Sequence, residues 1–286
     1  MDVAKAFYTV LKEARDLEII EGIHESLKER ISDLSEREKI GRSRPSEIAT
    51  ANSRMKLSEA DLASVKGQLI VAENNLVFLI GMPVQANQLK DDEIQGNIEK
   101  DLPTYLKAVE LRSDVQAVKE SMKAAWQNIV IAQSGLWPGI TLEGNQYQKR
   151  EGFQSGIDWD LLFKITVPIF KGGENVGKIK EAISLWKQGK LSFALAERQA
   201  DLEIRQAYSE WKSSQDEHRA FQEALKASEE NFNLQKDEYS RNLVNNLDVL
   251  EALESFHQTR QQANFSYYKT KENFWKLKVT AGEVAL

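Results

Sequence analysis

The sequence predicts a mainly α-helical protein in which very long coiled-coil helical hairpins are interrupted by one short β-hairpin. Three observations lead to this fold class: prolines lie only between periodic stretches, one segment recurs later in the chain, and one run alternates between apolar and polar residues. Long helices exclude proline because it lacks the N–H that the helix requires. The five prolines, each at such a break, are Pro45, Pro83, Pro103, Pro138 and Pro168.

A long helix is predicted over about 174–241, because no proline occurs between Gly172 and Asn242. At about 1.5 Å per residue, a helix over this stretch would be roughly 105 Å long. Its apolar residues recur in heptad steps, which is typical of coiled-coil packing along neighbouring helices. One such line contains Ile204, Trp211, His218, Leu225, Phe232 and Tyr239.

An internal repeat relates the two ends of the chain. The segment from about Glu38 to Gly81 matches Tyr239 to Gly282 at a constant offset without gaps. Two unrelated hairpins aligned by chance are the alternative, because Ala, Glu and Leu recur in any coiled coil. At this offset Met1 matches a residue well inside the long helix of the second copy. The first copy is therefore expected to be incomplete at its start. Each copy is predicted as a helix, a tight tip and a returning helix, at 2–40, 41–45 and 46–80 and again at 174–241, 242–246 and 247–281.

Two runs before Gly172 predict the β-hairpin, namely Gly139–Tyr147 and Trp159–Phe170. In the second run apolar side chains alternate with polar ones, as in a tilted strand of about nine to eleven residues that crosses a bilayer. A half-buried hairpin of a soluble sheet is the alternative on alternation alone. Because the chain offers no further strands to cover the hairpin's edges, pairing with strands of other chains in a closed barrel is favoured. The predicted segments are 1–82, a connecting or equatorial segment 83–112, a helix 113–136, a β-hairpin 139–170 and a second helical hairpin 172–282.

Composition excludes several classes of function. With no cysteine the chain cannot form disulfides or thiolate metal sites, and a net charge of −6 provides no broad basic surface for nucleic acid. No run of ~18 apolar residues predicts a transmembrane helix, and the N-terminal residues do not form a signal peptide. His24, His218 and His257 show no metal-ligand spacing, and no catalytic motif is present, so neither an enzyme nor a cofactor or metal site is expected.

Several motifs, in their order and spacing, resemble the TolC-like outer-membrane efflux protein family across essentially the whole chain. Any one of them is weak, and the resemblance rests on their combination. They are Arg112-Ser113-Asp114-Val115, Trp137-Pro138, Pro168-Ile169-Phe170-Lys171-Gly172-Gly173, Tyr239-Ser240-Arg241-Asn242 and Leu247-Asp248-Val249-Leu250-Glu251-Ala252.

The resemblance implies a trimer whose helices form a hollow α-barrel and whose strands close an outer-membrane β-barrel in contact with lipid. Its implied function is a passive exit duct of a tripartite efflux or type I secretion system, working with a periplasmic adaptor and an inner-membrane transporter, with a large periplasmic part. Three copies of this chain would supply fewer strands than the about eight of the smallest ordinary outer-membrane barrels. We therefore expect the chain to lack an N-terminal half and not to form the standard pore by itself. The alternatives are a soluble coiled-coil scaffold and a non-functional truncated remnant.

The resemblance also implies that the second tip is the periplasmic aperture, with Asp248 and Glu251 as gate acids and Tyr239 as a latch. These two acids share a helix face near its N-terminus, where carboxylates are favoured, so a purely local role for Asp248 is the alternative. The best-known family member has an arginine where this chain has Val244, which puts the closing network in doubt and suggests Arg241 instead.

Two further sets of residues follow from the resemblance. Adaptor docking is expected at the tips, and the change from strand to helix is expected where proline leaves the ladder and paired glycines relax the backbone. The docking residues are Gly41, Arg42, Ser43, Asn242 and Leu243, and the transition residues are Pro138, Pro168, Gly172 and Gly173.

Overall fold

The computed structural model describes residues 1–91, 101–149, 151–153 and 155–283. Long helical hairpins and one two-stranded antiparallel sheet make up most of these residues, so the predicted fold class is confirmed. The predicted connecting segment 83–112 lies partly outside the described residues. The elements are α1 (Asp2–Lys39), α2 (Pro45–Ile80), α3 (Leu102–Leu106), α4 (Ser113–Ser134), β1 (Gly139–Gln146), β2 (Trp159–Thr166), α5 (Glu174–Ser240) and α6 (Asn246–Thr280).

The chain divides into two compact units, one made of residues 1–106 and 203–286 and the other of residues 107–202. In the first unit, α1 packs against both α2 and α6. The heptad line predicted on α5 is confirmed, because Ile204, Trp211 and Tyr239 are buried and the three residues between them are half-buried. Coiled-coil periodicity thus determines which face of α5 is covered.

An apolar cluster surrounds the tips of the first unit and is called the tip cluster below. It joins side chains from α1, α2, α5 and α6, and the half-buried Phe232 and Val244 pack against it. Leu34 and Ala51 are completely buried within it. The tip cluster consists of Leu27, Leu34, Ala51, Tyr239, Val249, Leu250 and Leu253.

A buried ion pair lies further along α1 and α6. Lys271 is 5% exposed, pairs with Asp91 and lies 4.4 Å from the centre of the Tyr267 ring. Burial lowers the pKa of Lys271, but hydrogen bonds and the charge of Asp91 outweigh it, so the pKa is raised and the ammonium stays charged. The indole Nε1 of Trp275 donates to the Tyr8 hydroxyl at 2.9 Å beside this pair. These contacts hold residue 91 against the helices.

Left-handed backbone conformations recur at the offset that relates the two copies of the sequence repeat. Gly41 at the first tip has φ +72°, and its counterpart Asn242 has φ +62°. Gly81 and Gly282, which follow α2 and α6, have φ +73° and +72°. Glycine reaches this left-handed region at little cost, and asparagine is among the residues that tolerate it.

The second unit contains the β-hairpin and α4. In the hairpin, Ile140 pairs with Ile165 and Leu142 with Phe163, so apolar side chains share one face. Asp160 on the other face accepts hydrogen bonds from Asn145 Nδ2 and the Tyr147 hydroxyl, both at 2.9 Å. The apolar side chains of the first face are all exposed, namely Ile140, Leu142, Trp159, Leu161, Phe163 and Ile165.

The prediction that the second strand continues to Phe170 was wrong, because β2 ends at Thr166. The last ladder pair joins Thr166 to Gly139. The next pair would place Pro138 opposite Val167, and proline has no N–H to contribute to a ladder. The paired hairpin is therefore shorter than the alternating run.

Within the described residues, none of the helices combines the length and the apolar character that crossing a membrane requires.

Helices α4 and α5 approach each other closely in the second unit. A Cβ added at Gly189 would lie 3.4 Å from Met122 Cα, and the Trp126 and Trp186 rings meet edge to face at 5.1 Å.

Candidate functional site

The second tip, defined as Arg241–Asn245, joins α5 to α6. The Asn245 side chain caps α6 by accepting hydrogen bonds from the N–H groups of Leu247 at 2.7 Å and Asp248 at 3.1 Å. In return Asp248 Oδ2 accepts the Asn245 N–H at 2.9 Å. This reciprocal capping box fixes the start of α6.

Tyr239, at the end of α5, is buried beneath two arginines of α1. The guanidinium carbon of Arg30 lies 3.8 Å from the centre of the Tyr239 ring, and that of Arg37 lies 4.5 Å from it. Asp33 accepts a hydrogen bond from each arginine at 3.2 Å. The three α1 residues therefore form one charged group over the ring, in a geometry that favours cation–π attraction.

Arg30 also reaches the other side of the second tip. Its Nε donates to the Asn246 side-chain oxygen at 2.9 Å, and Asn246 is the first residue of α6. Arg30 therefore links α1 both to the end of α5 and to the start of α6. We call this set of contacts the clasp, consisting of Arg30, Asp33, Arg37, Tyr239 and Asn246.

The electrostatics of the clasp are those of a half-buried cation. Burial lowers the pKa of Arg30 below its ordinary value, and the neighbouring Tyr239 and Asp33 offset part of this effect. Arg30 Nη2 is buried and has no hydrogen-bond partner among the described residues. Four residues of the clasp, all except Asn246, line a groove of about 380 Å³ together with Phe232.

The residues predicted at the aperture occupy different roles within this geometry. The carboxylate of Asp248 is engaged in the capping box, as the local interpretation proposed, whereas Glu251 is exposed one turn later. Arg241 donates a hydrogen bond to Asp237 of α5 at 2.7 Å, and a link from Arg241 to a neighbouring helix stays a prediction. Val244 packs against the tip cluster.

Sequence reasoning identified Tyr239 but missed Arg30 and Arg37. The two arginines stand one heptad apart on α1, with Leu27 and Leu34 at the same spacing beside them. Charged residues at heptad spacing next to a buried apolar line commonly flank a helix seam. This spacing is the signal that could have identified them.

The first tip, defined as Ile40–Arg44, joins α1 to α2. The Gly41 N–H donates to Glu38 O and the Arg42 N–H to Arg37 O, both at 2.8 Å, which closes the end of α1. Glu47 Oε2 accepts from the Ser43 hydroxyl at 2.6 Å. The turn is therefore held by its own hydrogen bonds, with Arg42 exposed.

The conformation of Gly41 leads to a first prediction. We expect Gly41→Val to lower the free energy of unfolding by about 1–2 kcal/mol, because a β-branched residue is strained at a positive φ. A Cβ there meets nothing within 4 Å, so only the backbone conformation is at issue. Urea denaturation followed by circular dichroism measures the change. Gly41→Asn is the matched control and should be nearly neutral, as Asn242 is in the second copy; equal losses for both variants would contradict this account.

The predicted transition residues flank the hairpin. Pro138 immediately precedes β1, and Pro168 follows β2 by two positions. Gly172 and Gly173 have φ +55° and +83°, and α5 begins at the next residue. Asn175 Nδ2 donates to Gly135 O at 2.7 Å and so ties the start of α5 to the end of α4.

The histidines lie in the seams between helices. His24 Nδ1 lies 3.0 Å from Ser58 Oγ, and His218 Nδ1 lies 3.1 Å from Ser266 Oγ. In the part of the chain that the structure describes, no three His, Asp or Glu side chains are placed to hold a metal ion. His257 is 5% exposed and lines a groove of about 340 Å³, with neither ring nitrogen bonded to a described residue.

Comparison with known families gives one clear match. The profile of the family described as outer membrane efflux protein matches residues 104–283, which is more than half of the chain. The match begins within α3 and continues through the β-hairpin, the second tip and α6.

Individual relatives agree with this match. The chain is 27% identical to the cation efflux system protein CusC of Escherichia coli over 216 residues, covering 71% of this chain and 46% of that protein. It is 26% identical to the probable outer membrane lipoprotein SilC of Salmonella typhimurium over 231 residues, covering 75% of this chain and 48% of that protein. The chain thus spans about half the length of the curated relatives it matches.

A solved structure shares the fold. The outer membrane protein VceC of Vibrio cholerae superposes with a TM-score of 0.81 at 20% identity, covering 98% of this chain and 68% of that one. At this level of identity the similarity establishes the fold alone.

Proposed function

The chain belongs to the outer membrane efflux protein family, and on that premise we propose that it forms part of the wall of a passive outer-membrane exit duct. The proposed duct is a homo-oligomer, a trimer by family resemblance. It works with a periplasmic adaptor and an inner-membrane transporter that supplies the energy. We assign the chain no catalytic role and no cofactor.

The observation that carries this proposal is the exposed apolar face of the β-hairpin. Side chains as large as Phe163 and Trp159 are more than half exposed there, while Asp160 and Lys164 lie on the other face. Large contiguous apolar surfaces on a protein mark contact with a partner or a membrane. In a membrane barrel, lipid would cover the apolar face, and the polar face would line the water-filled interior.

We further propose that the second tip is the aperture of the duct and that the clasp holds it closed. Arg30 touches both Tyr239 and Asn246, so its release would free both ends of the tip together. Asp248 and Glu251 start the helix that follows the tip, and their carboxylates would make a narrow bore electronegative. Gly41, Arg42 and Ser43, with Asn242 and Leu243 at the other tip, are proposed to meet the adaptor.

Single cysteines provide a direct test of the duct, because the chain contains none of its own. Phe163→Cys and Lys164→Cys place an environment-sensitive label on opposite faces of the hairpin. In vesicles we expect brominated lipid to quench the label at position 163 strongly and the label at 164 weakly. Where the assembly supplies enough strands to close the barrel, the same protein should then conduct ions across a planar bilayer without an added energy source.

The competing function is a soluble coiled-coil scaffold, which the long helices alone would also fit. It predicts that both labels stay accessible to a water-soluble quencher and that the protein remains in the aqueous fraction when vesicles are sedimented. That outcome would exclude the duct. The Lys164→Cys variant is the matched control, because it carries the same label on the same strand.

A further inference from the structure

The first tip carries two cations that the chain itself does not neutralise. Arg42 and Arg44 are exposed, and neither has an ion pair within the described residues. Ile40, at the start of the same turn, is 66% exposed. The tip therefore presents one apolar side chain with two arginines beside it.

Among the described residues, none of the nearby acids forms an ion pair with either arginine. Glu47 is tied into the turn, where its carboxylate accepts from the Ser43 hydroxyl at 2.6 Å and from the Arg44 N–H at 3.3 Å. Glu36 and Glu38 lie on the last turn of α1, together with the exposed Lys39. The turn itself contains only cations among its charged residues.

The position of Arg44 is unfavourable for the local fold. Arg44 is the N-cap of α2, where a side chain that accepts hydrogen bonds is preferred and where the helix dipole disfavours a cation. The internal repeat supplies the comparison, because the residue opposite Arg44 is Asn245, which caps α6 with two hydrogen bonds. The first copy therefore has arginine where the same turn elsewhere has an effective cap. Departures of this kind from local preference are expected at functional sites.

The second tip has an uncharged residue opposite each of these two arginines. Leu243 stands opposite Arg42, and the one arginine of the second tip, Arg241, is paired with Asp237. The two tips thus share a backbone turn but not a charge. The first presents unpaired arginines, and the second presents an apolar and amide surface.

We propose that the first tip docks an acidic segment of a partner protein, whose apolar side chain covers Ile40 while its carboxylates pair with Arg42 and Arg44. This proposal rests on the proposed function, because it specifies the chemistry of the partner that meets the first tip. A protein segment fits better than a lipid surface. Surfaces that bind anionic lipid usually carry clusters of about four to eight basic residues, whereas the first tip has two arginines.

Synthetic peptides test the proposal on the full chain in detergent. The probe is a labelled peptide in which a leucine is flanked by three glutamates, and its matched control has glutamines in their place. We expect fluorescence anisotropy to show tighter binding of the acidic peptide at low salt and loss of this preference at about 1 M salt, where charges are screened beyond about 3 Å.

The variants take their residues from the second tip, so that they preserve the fold. We expect Arg44→Asn to weaken binding about threefold and the double variant Arg42→Leu/Arg44→Asn about tenfold, as for exposed ion pairs. Arg44→Asn should at the same time raise the midpoint of thermal unfolding, because asparagine caps α2. Arg241→Asn is the control and should leave binding within twofold.

Three outcomes would overturn the proposal. One is equal binding of the acidic and glutamine peptides, and another is unchanged binding by the double variant. The third is binding to vesicles of phosphatidylglycerol that depends on Arg42 and Arg44 as strongly as peptide binding does. Failure of the hairpin labels to enter lipid, with peptide selectivity intact, would reject the duct and leave the acidic docking surface standing.

Discussion

Replacing Arg30 with alanine is expected to release the second tip and to lower the free energy of unfolding by about 2–4 kcal/mol. The variant loses the cation over the Tyr239 ring and the hydrogen bond to Asn246 in one step. It also leaves Asp33 with one arginine instead of two. Urea denaturation measures the stability. If the clasp holds the aperture closed, conductance in a planar bilayer should rise several-fold in the same variant.

Two arginine variants serve as controls for this result. Arg241→Ala removes a cation from the tip itself, but its partner Asp237 is exposed on the preceding helix α5. Arg15→Ala breaks an exposed pair with Glu18. Each should change stability by less than about 1 kcal/mol, as exposed ion pairs do, and neither should change conductance. A conductance unchanged by Arg30→Ala, with the stability loss present, would reduce the clasp to a purely structural contact.

Features of this fold that depend on local chemistry could be predicted from the sequence. Pro45, Pro138 and Pro168 each lie at a boundary between elements, and the heptad line from Ile204 to Tyr239 indicates which face of α5 is buried. Prolines and heptads act within a few residues, so their meaning does not depend on the rest of the chain. The internal repeat then related the two tips before any contact was known.

The clasp could not be predicted in the same way. Tyr239 and Asn246 meet Arg30 across more than 200 positions of sequence, and nothing near Tyr239 specifies which cation will cover its ring. The end of β2 at Thr166 depends likewise on Pro138, which directly precedes the opposite strand and is 28 positions away in sequence.

The stability of the chain should decrease in mild acid because of His257. Burial, reinforced by the nearby Arg260, lowers the pKa of His257 to about 4. An unfolded chain would take up a proton near the ordinary pKa of 6.5, whereas the folded chain resists it until about 4. The contribution of His257 to the free energy of unfolding is therefore fully present above about pH 6.5 and is lost as the pH decreases toward 4. From this linkage we expect a loss of about 2 kcal/mol at pH 5, measured by urea denaturation at pH 7.5 and pH 5.

His257→Leu should remove most of this dependence on pH. At neutral pH the variant should be as stable as the parent or more so, because it also removes two ring nitrogens that have no partner among the described residues. His218 contributes in the same direction, since burial lowers its pKa as well. The remaining dependence of the unfolding free energy on pH should therefore be smaller still in the double variant His218→Gln/His257→Leu. If His257→Leu loses as much stability at pH 5 as the parent does, other titratable groups control the effect of acid.

Acid should also act on the second tip, because His257 shares its groove with tip-cluster residues. Leu27, Leu250 and Leu253 line this groove and belong to the cluster that surrounds Tyr239. A charged imidazole in the groove would draw in water and loosen the packing beneath the clasp. We therefore expect the effect of Arg30→Ala and the effect of acid on conductance to be coupled. The conductance gained on lowering the pH from 7.5 to 5 should be smaller in Arg30→Ala than in the parent.

Adding His257→Leu should abolish the response of the conductance to acid both in the parent and in Arg30→Ala. If the effects of Arg30→Ala and of acid on conductance are purely additive, the groove and the clasp respond independently.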